Sequence, residues 1–423
     1  MKNLHLTIGI MAATLAGVAC AQEGPTPKGV PTLDHVFVIM MENHGIGEII
    51  NNPAAPFLNK YARGANSALN YFGVAHPSLT NYLETVGGSN FGIHTDQNPD
   101  WHNLGCQPNL ATKTVATDNP ASPAICPIWG TGQDAETPAI DLTNEAQGLP
   151  GSINIDGTKS IAADPNIVGK TIADQLAEAG REWKSYQESA PAQLDGVNYS
   201  DGYFSNLTDF TLSPPQVQPP LASTDIVALY AVKHNPFAYF RSVQEATNPL
   251  LSLHQTRPFI GLGGLYADLA SGNVPAFSFI APNQCDDQHG RGNAGAFCNF
   301  DPISNGQQSG LNPALIYRGD VTVEQLVTAI HGSPAWKRGK NAIVVLWDEN
   351  DYAIAPVTNQ VLLVVDTNYG VKGTTSGVYY NHFSVLKSIE AGLGLPCLNH
   401  ACDADVKVMS DLFAMAPNDD RAR

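Results

Sequence analysis

Two short β-branched apolar runs, one near the start of the chain and one near its end, each stop at a pair of oxygen-bearing side chains. His35-Val36-Phe37-Val38-Ile39-Met40-Met41 runs into Glu42-Asn43, and Ala342-Ile343-Val344-Val345-Leu346-Trp347 runs into Asp348-Glu349. Apolar runs of this length, without polar alternation, read as strands buried on both faces, the pattern of a parallel sheet covered by helices. In open α/β sheets, ligands sit just past the carboxyl ends of such strands. Two oxygen-rich pairs delivered there from opposite ends of the chain read as a candidate centre for one divalent metal ion.

The rest of the pattern supplies the sheet and its covering layers. Phe277-Ser278-Phe279-Ile280, Glu182-Trp183-Lys184-Ser185-Tyr186 and Val361-Leu362-Leu363-Val364-Val365 read as further strands. Helical patterns fall at 54–62, with Pro56 in the first turn, at 79–86, and at 170–180. Another runs over 321–331 with Asp320 as its N-cap, and a last one follows His382 and ends at Gly392. Strands alternating with helices predict an α/β fold: a doubly wound, mostly parallel sheet with helices on both faces. Irregular, Gly- and Pro-rich insertions are expected at about 92–165 and 187–221, of the length that functional loops reach. The expected organisation is a signal peptide over 1–21, a lead-in over 22–33, one domain over 34–410 and a C-terminal tail over 411–423.

Charge removes one class of partner. The formal net charge of −17, from 22 basic and 39 acidic residues, leaves no broad positive field for nucleic acid. The amino terminus opens with Lys2, continues through an apolar stretch and reaches Ala19-Cys20-Ala21, a small-x-small cleavage pattern that predicts a secreted or periplasmic protein. Gly17 stands where a lipidation signal at Cys20 would place a large aliphatic residue. No later stretch is long and apolar enough to span a bilayer. Six further cysteines suit an oxidising compartment. Their order suggests the local pairs Cys106–Cys126, Cys285–Cys298 and Cys397–Cys402, among about 15 possible connectivities.

Ser78 follows His76-Pro77 and opens a helical pattern. A serine there presents its hydroxyl beside the unpaired N–H groups and positive dipole end of a helix, a ready anion site. Taken alone it reads as an N-cap; with Asn81 one turn on and the two oxygen-rich pairs, it reads as a nucleophile beside a metal that lowers its pKa.

Several motifs then recur in one order: Met41-Glu42-Asn43-His44, His76-Pro77-Ser78-Leu79-Thr80-Asn81-Tyr82-Leu83, Trp183-Lys184-Ser185-Tyr186, Lys233-His234-Asn235-Pro236-Phe237, Pro282-Asn283-Gln284-Cys285-Asp286-Asp287-Gln288-His289-Gly290, Trp347-Asp348-Glu349-Asn350-Asp351 and His382-Phe383-Ser384. Over about residues 34–395 the chain resembles the phosphoesterase family of secreted acid phosphatases and bacterial phospholipases C, within the alkaline-phosphatase-like superfamily. The resemblance implies one divalent metal, of identity open among Mg, Ca, Mn, Zn and Fe, held by Glu42, Asn43, Asp348, Glu349 and the nucleophile Ser78. It implies substrate contacts from Asn81, His76, His234 and Asp287; Asp287, His289 and His382 look like counterparts of the superfamily's second metal site, which either bind a metal or hydrogen-bond the phosphate, with His289 or His382 as the leaving-group acid. Gly45 and Ala353 depart from the family pattern without removing a ligand.

The expected activity is hydrolysis of phosphate monoesters, on a phosphorylated small molecule or lipid, through a phosphoserine intermediate. The alternative is a phospholipase C cleaving phospholipid diesters with the same site. A binding protein that keeps the metal for structure is the third reading, and a serine at position 78 argues against it.

Overall fold

Nine strands make one mixed sheet, and its register is what builds the site. The computed structural model describes residues 23–91, 169–190, 229–291, 295–303, 306–350 and 359–416, with the backbone alone of six short strands between residues 108 and 228. The leader, the Cys106–Cys126 pair, most of the insertions over 92–165 and 187–221, and Ala353 lie outside the described residues.

In chain order the sheet strands are β1 (His35–Met41), β2 (Asn66–Phe72), β3 (Trp183–Gln187), β4 (Thr256–Arg257), β5 (Phe277–Ala281), β6 (Asn341–Trp347), β7 (Gln360–Thr367), β8 (Thr375–Ser376) and β9 (Tyr380–Asn381). They lie in the order β4-β3-β5-β1-β6-β7-β2-β8, with β9 also paired to β2. Only β7 runs against the others. The carboxyl ends of β1, β2, β3, β5 and β6 therefore share one edge. Val36 through Met41 are wholly buried, as are Ala342 through Trp347, which is why neither run alternates with polar residues. Met41 pairs with Trp347, so the next residues, Glu42 and Asp348, come out side by side.

Besides a five-residue helix over Arg241–Glu245, the described helices are α1 (Ile46–Ile49), α2 (Pro56–Gly64), α3 (Ser78–Gly87), α4 (Ile172–Glu178), α5 (Leu265–Ser271), α6 (Pro313–Gly332) and α7 (His382–Leu393). Helix α6 starts well before Asp320. Its N-cap is Asn312, whose side chain accepts from Ala314 N at 3.1 Å, with Pro313 as the first helical residue. Gly319, which looks like a breaker in sequence, sits inside the helix because a Cβ there would stand 2.3 Å from Gln288 Cγ. Asp320 caps a different helix. Its carboxylate accepts from Phe57 N at 3.0 Å and Leu58 N at 2.7 Å, supplying the first turn of α2, which has no cap of its own at Ala55.

Two further boundaries move. Helix α7 passes through Gly392, which packs on Leu33, and ends at Gly394 in the left-handed region at φ 69°. The segment from 411 is no tail where it is described: Leu412 and Phe413 are wholly buried, Gly370 pairs with Met415, and Asp411 accepts from Tyr380 Oη at 2.7 Å. The core thus continues past residue 410. Disulfides join Cys285–Cys298 and Cys397–Cys402. No described helix is long and apolar enough to cross a membrane.

Burial pushes Asp320 up to about 6, with Glu324 adding to the shift and the two N–H donors opposing it. A folded-state value above the ordinary 3.8 means that its stabilising share is complete below that pH and is lost as pH rises through about 6. Asp320→Ala should cost about 1–2 kcal/mol of unfolding free energy near the acid end of this range. The gap between the two proteins should narrow as pH rises towards neutrality, measured by urea unfolding. A gap that widens would refute the assignment.

Candidate active site

Four carboxylates meet at the carboxyl edge of the sheet: Glu42 after β1, Asp287 beyond β5, and Asp348 and Glu349 after β6. All are buried, at 0%, 0%, 0% and 3% exposure. Backbone pairing holds their bases together. Asp348 N donates to Met41 O at 3.0 Å and Glu42 N donates to Asp287 O at 2.9 Å. Asn43 sits at φ 54°, in the left-handed region that Asn tolerates, and its N–H donates to Asp348 Oδ1 at 3.2 Å.

Helix α3 brings the serine to this group. Its N-cap is Pro77, so no side chain caps the first turn, and Ser78 is the first helical residue. Ser78 Oγ donates to Glu42 Oε2 at 3.1 Å and lies 3.5 Å from Glu349 Oε1. The fold therefore gathers Glu42, Asn43, Ser78, Asp348 and Glu349 from three distant stretches of chain.

Asn81 serves the neighbouring loop. Its Oδ1 accepts from Val74 N and Ala75 N, both at 3.0 Å, while Nδ2 donates to Ala75 O at 2.8 Å and Glu349 Oε2 at 2.9 Å. Its amide is spent on bracing Glu349, not held open for an anion as the sequence suggested. His76 Nδ1 lies 2.9 Å from the same Glu349 oxygen.

The histidines divide by what their nitrogens touch. His382 Nε2 donates to Asp348 O at 2.6 Å, and its Nδ1 accepts from Tyr71 Oη at 2.5 Å. Burial lowers it to about 4, against the pull of the Asp348 carbonyl. His382 is thus a neutral brace beneath Asp348, and the leaving-group role expected of it does not fit this geometry. His289 Nδ1 donates to Gly290 O at 2.9 Å, which leaves Nε2 as a lone pair facing Lys233 Nζ at 3.3 Å. A proton on that nitrogen would point at an ammonium, so His289 also lacks the arrangement of a resting acid. His44, adjacent in sequence, carries the opposite charge state. Burial alone would lower it, but Asp301 at 2.8 Å, with Glu48 and the Glu42 carbonyl, raises it to about 9.

His234 lies between two carboxylates, with Nε2 3.1 Å from Glu42 Oε1 and Nδ1 3.2 Å from Asp287 Oδ2. Tyr82, one turn after Ser78, stacks on its ring at 5.2 Å and 7°. Burial, Lys233 and His289 hold His234 well below its ordinary value. A neutral imidazole has one N–H, so one of the two contacts sets a lone pair against a carboxylate oxygen. Burial, and then Glu42, push Asp287 well up; burial, and then Glu349, do the same to Asp348. Asp348 Oδ2 is buried with no hydrogen-bond partner. Tensions of these kinds are what a divalent cation relieves, by pairing with an orphaned oxygen, keeping acids ionised or accepting an imidazole lone pair. Ligand atoms of Glu42, His234 and Asp287 lie within 4.8 Å of one another, and Glu42 joins them to the Ser78 group. The residues present fit a metal.

Other supporting residues gave little sign in sequence. Tyr71 supports His382, and Tyr82 stacks on His234. Asn359 Nδ2 donates to Ala75 O at 3.0 Å while its Oδ1 accepts from Asn350 N at 2.8 Å, tying the loop after β6 to the loop before α3. Arg318 pairs with Asp286 and fixes the turn that presents Asp287. These are single polar residues whose partners are distant in the chain.

A model of the phosphoesterase family matches residues 48–396. A phosphatidylinositol-3-phosphatase from Mycobacterium tuberculosis is 34% identical over 405 residues, covering 94% of this chain and 90% of that protein. An acid phosphatase from Aspergillus fumigatus is 25% identical over 314 residues, 74% of this chain and 54% of its own length. A probable acid phosphatase from Kluyveromyces lactis is 22% identical over 384 residues, 90% of this chain and 63% of its own. The chain thus spans less than two thirds of either fungal protein. Among solved structures, an alkaline phosphatase superfamily protein from Vibrio parahaemolyticus aligns with 88% of this chain and 70% of its own at a TM-score of 0.41 and 9% identity, too remote to bear on the site.

Gly73 lets the loop after β2 approach β6. A Cβ there would stand 2.6 Å from both Asp348 O and Asn359 Nδ2. Gly73→Ala should therefore destabilise the fold by about 1–3 kcal/mol, visible as a lower thermal midpoint. An unchanged midpoint would mean that the loop moves aside freely.

Proposed function

This chain belongs to the phosphoesterase family and is a hydrolase of phosphate esters; we propose that within this class it is a metal-dependent phosphomonoesterase with Ser78 as nucleophile. One observation carries the reading: an uncapped helix N-terminus places Ser78 Oγ 3.1 Å from a carboxylate in a buried acidic cluster. A structural serine would have no use for that neighbourhood.

The substrate phosphoryl group would rest at the first turn of α3, where backbone N–H groups and the helix dipole favour an anion. Glu42, Asn43, Asp348 and Glu349, with Ser78 Oγ, would hold one divalent ion, Glu42 being shared with the His234–Asp287 pair. Such an ion, when bound, lowers the hydroxyl pKa and offsets charge on the phosphoryl oxygens. Ser78 Oγ bonds to phosphorus as the ester P–O bond breaks; its proton passes to Glu42 Oε2 and from there to the departing oxygen, which leaves as the alcohol. Water then cleaves the phosphoserine, releasing inorganic phosphate and restoring the hydroxyl. Asn81 and His76 hold Glu349 in place, and His382 with Tyr71 holds the backbone of Asp348.

A phosphorylated lipid head group joins small phosphate esters as a proposed substrate, since the Mycobacterium tuberculosis relative is named for a phosphoinositide. Export is part of the proposal, supported by the leader-like N-terminus and by two oxidised cysteine pairs.

Ser78→Ala should lower turnover of an aryl phosphate by about 10³-fold or more, and near-normal turnover by that variant would refute the assignment. Chelation should abolish activity and one added divalent metal should restore it; activity that survives exhaustive chelation would sink the metal requirement. On one preparation, aryl phosphate and a phosphoinositide should be cleaved faster than phosphatidylcholine. The reverse order would make the protein a phospholipase C.

A further inference from the structure

The 3₁₀ turn Val232–His234 buries a lysine beside the acidic group, with only 2% of its surface exposed. A buried ammonium is costly unless something nearby requires it. Its Nζ meets a nitrogen lone pair of His289 at 3.3 Å, because the other ring nitrogen donates to Gly290 O. The lysine is therefore the donor in that contact. Asp287 and Asp348 both feel its charge.

We infer that Lys233 selects a doubly charged phosphate monoester over a singly charged diester at this site, an inference that rests on the phosphomonoesterase reading above. Charge accounting leads there. Glu42 and Glu349 lie within 3.5 Å of Ser78 Oγ, and Asp287 and Asp348 are joined to the Met41–Glu42 backbone, so four potential negative charges gather there and one divalent ion offsets two of them. A monoester dianion adds two more and a diester only one, so the monoester depends more heavily on a further cation. Lys233 would offset that extra charge, and its loss should fall unequally on the two substrates. Were the lysine present only to steady the acids, both substrates would suffer alike.

The test uses the full metal-loaded chain and the variants Lys233→Met and Lys233→Arg. Lys233→Met should lose about 100-fold in kcat/KM on an aryl phosphate monoester but less than about 5-fold on a methyl aryl phosphodiester, while Lys233→Arg recovers roughly a tenth or more of the monoester rate. Calorimetry above about pH 8, where the second phosphate proton is gone, gives a readout free of turnover. There, inorganic phosphate should bind at least about tenfold more weakly to Lys233→Met, with dimethyl phosphate shifted less than about twofold. Equal losses on the two esters, or phosphate binding that does not change, would overturn the inference. If Lys233→Met fails to fold, as judged by its thermal midpoint, the same comparison is made with Lys233→Gln: a lowered monoester-to-diester ratio supports the inference, and an unmoved ratio with both rates depressed overturns it. A wild-type enzyme that cleaves neither ester would instead defeat the phosphomonoesterase reading, and the calorimetric comparison would still decide the role of Lys233.

Discussion

Like charges forced together out of water are the constraint on which the rest of this structure turns. Strand pairing sets Glu42 beside Asp348 because Met41 is in register with Trp347, and Glu349 and Asp287 complete the group. Buried carboxylates repel each other and pay heavily for lost hydration. A fold that keeps them does so against its own stability, and the compensation has to come from cations, hydrogen bonds or a bound ion. Violations of this kind mark sites at which structure yields to function.

The surroundings are organised around that tension. His382 and Tyr71 fasten the backbone of Asp348, Asn81 fastens Glu349, and Arg318 fastens Asp286 beside Asp287. His44, paired with Asp301, fastens the carbonyl of Glu42. Helix α3 is secured at its far end too: Asn399 Nδ2 donates to Gly87 O at 2.8 Å and His400 N to Gly88 O at 2.9 Å. Both residues lie in the short loop closed by Cys397–Cys402. The serine at one end of α3 is thus positioned partly by a disulfide loop at the other, since a helix transmits position as a rigid rod.

Much of the arrangement was legible from the chain alone, for a reason that can be stated. Fully apolar strands announce themselves by composition, and their carboxyl ends are where ligands collect, so Glu42, Asn43, Asp348, Glu349 and Ser78 stood out without coordinates. Hydrogen-bond partners were not legible. Asp320 looked like the cap of the helix that follows it, yet its carboxylate reaches α2, whose position relative to α6 exists only after packing. Gly319 lies inside α6, where close packing of Gln288 leaves no room for a Cβ. His289 and His382 looked alike as candidate acids, because a sequence holds no information on which ring nitrogen already has a partner.

By itself, then, the sequence determined which segments form strands and helices, which edge of the sheet collects polar groups, and which class of chemistry those groups suit. All of these follow from periodicity, residue type and short motifs, properties local to the chain. Tertiary structure alone decided which of the gathered side chains touch one another and which atom each presents. It turned Asn81 and His382 into braces, made His289 a hydrogen-bond acceptor and set Lys233 against it. Those assignments depend on distances between atoms far apart in sequence, and such distances come into being only when the core closes.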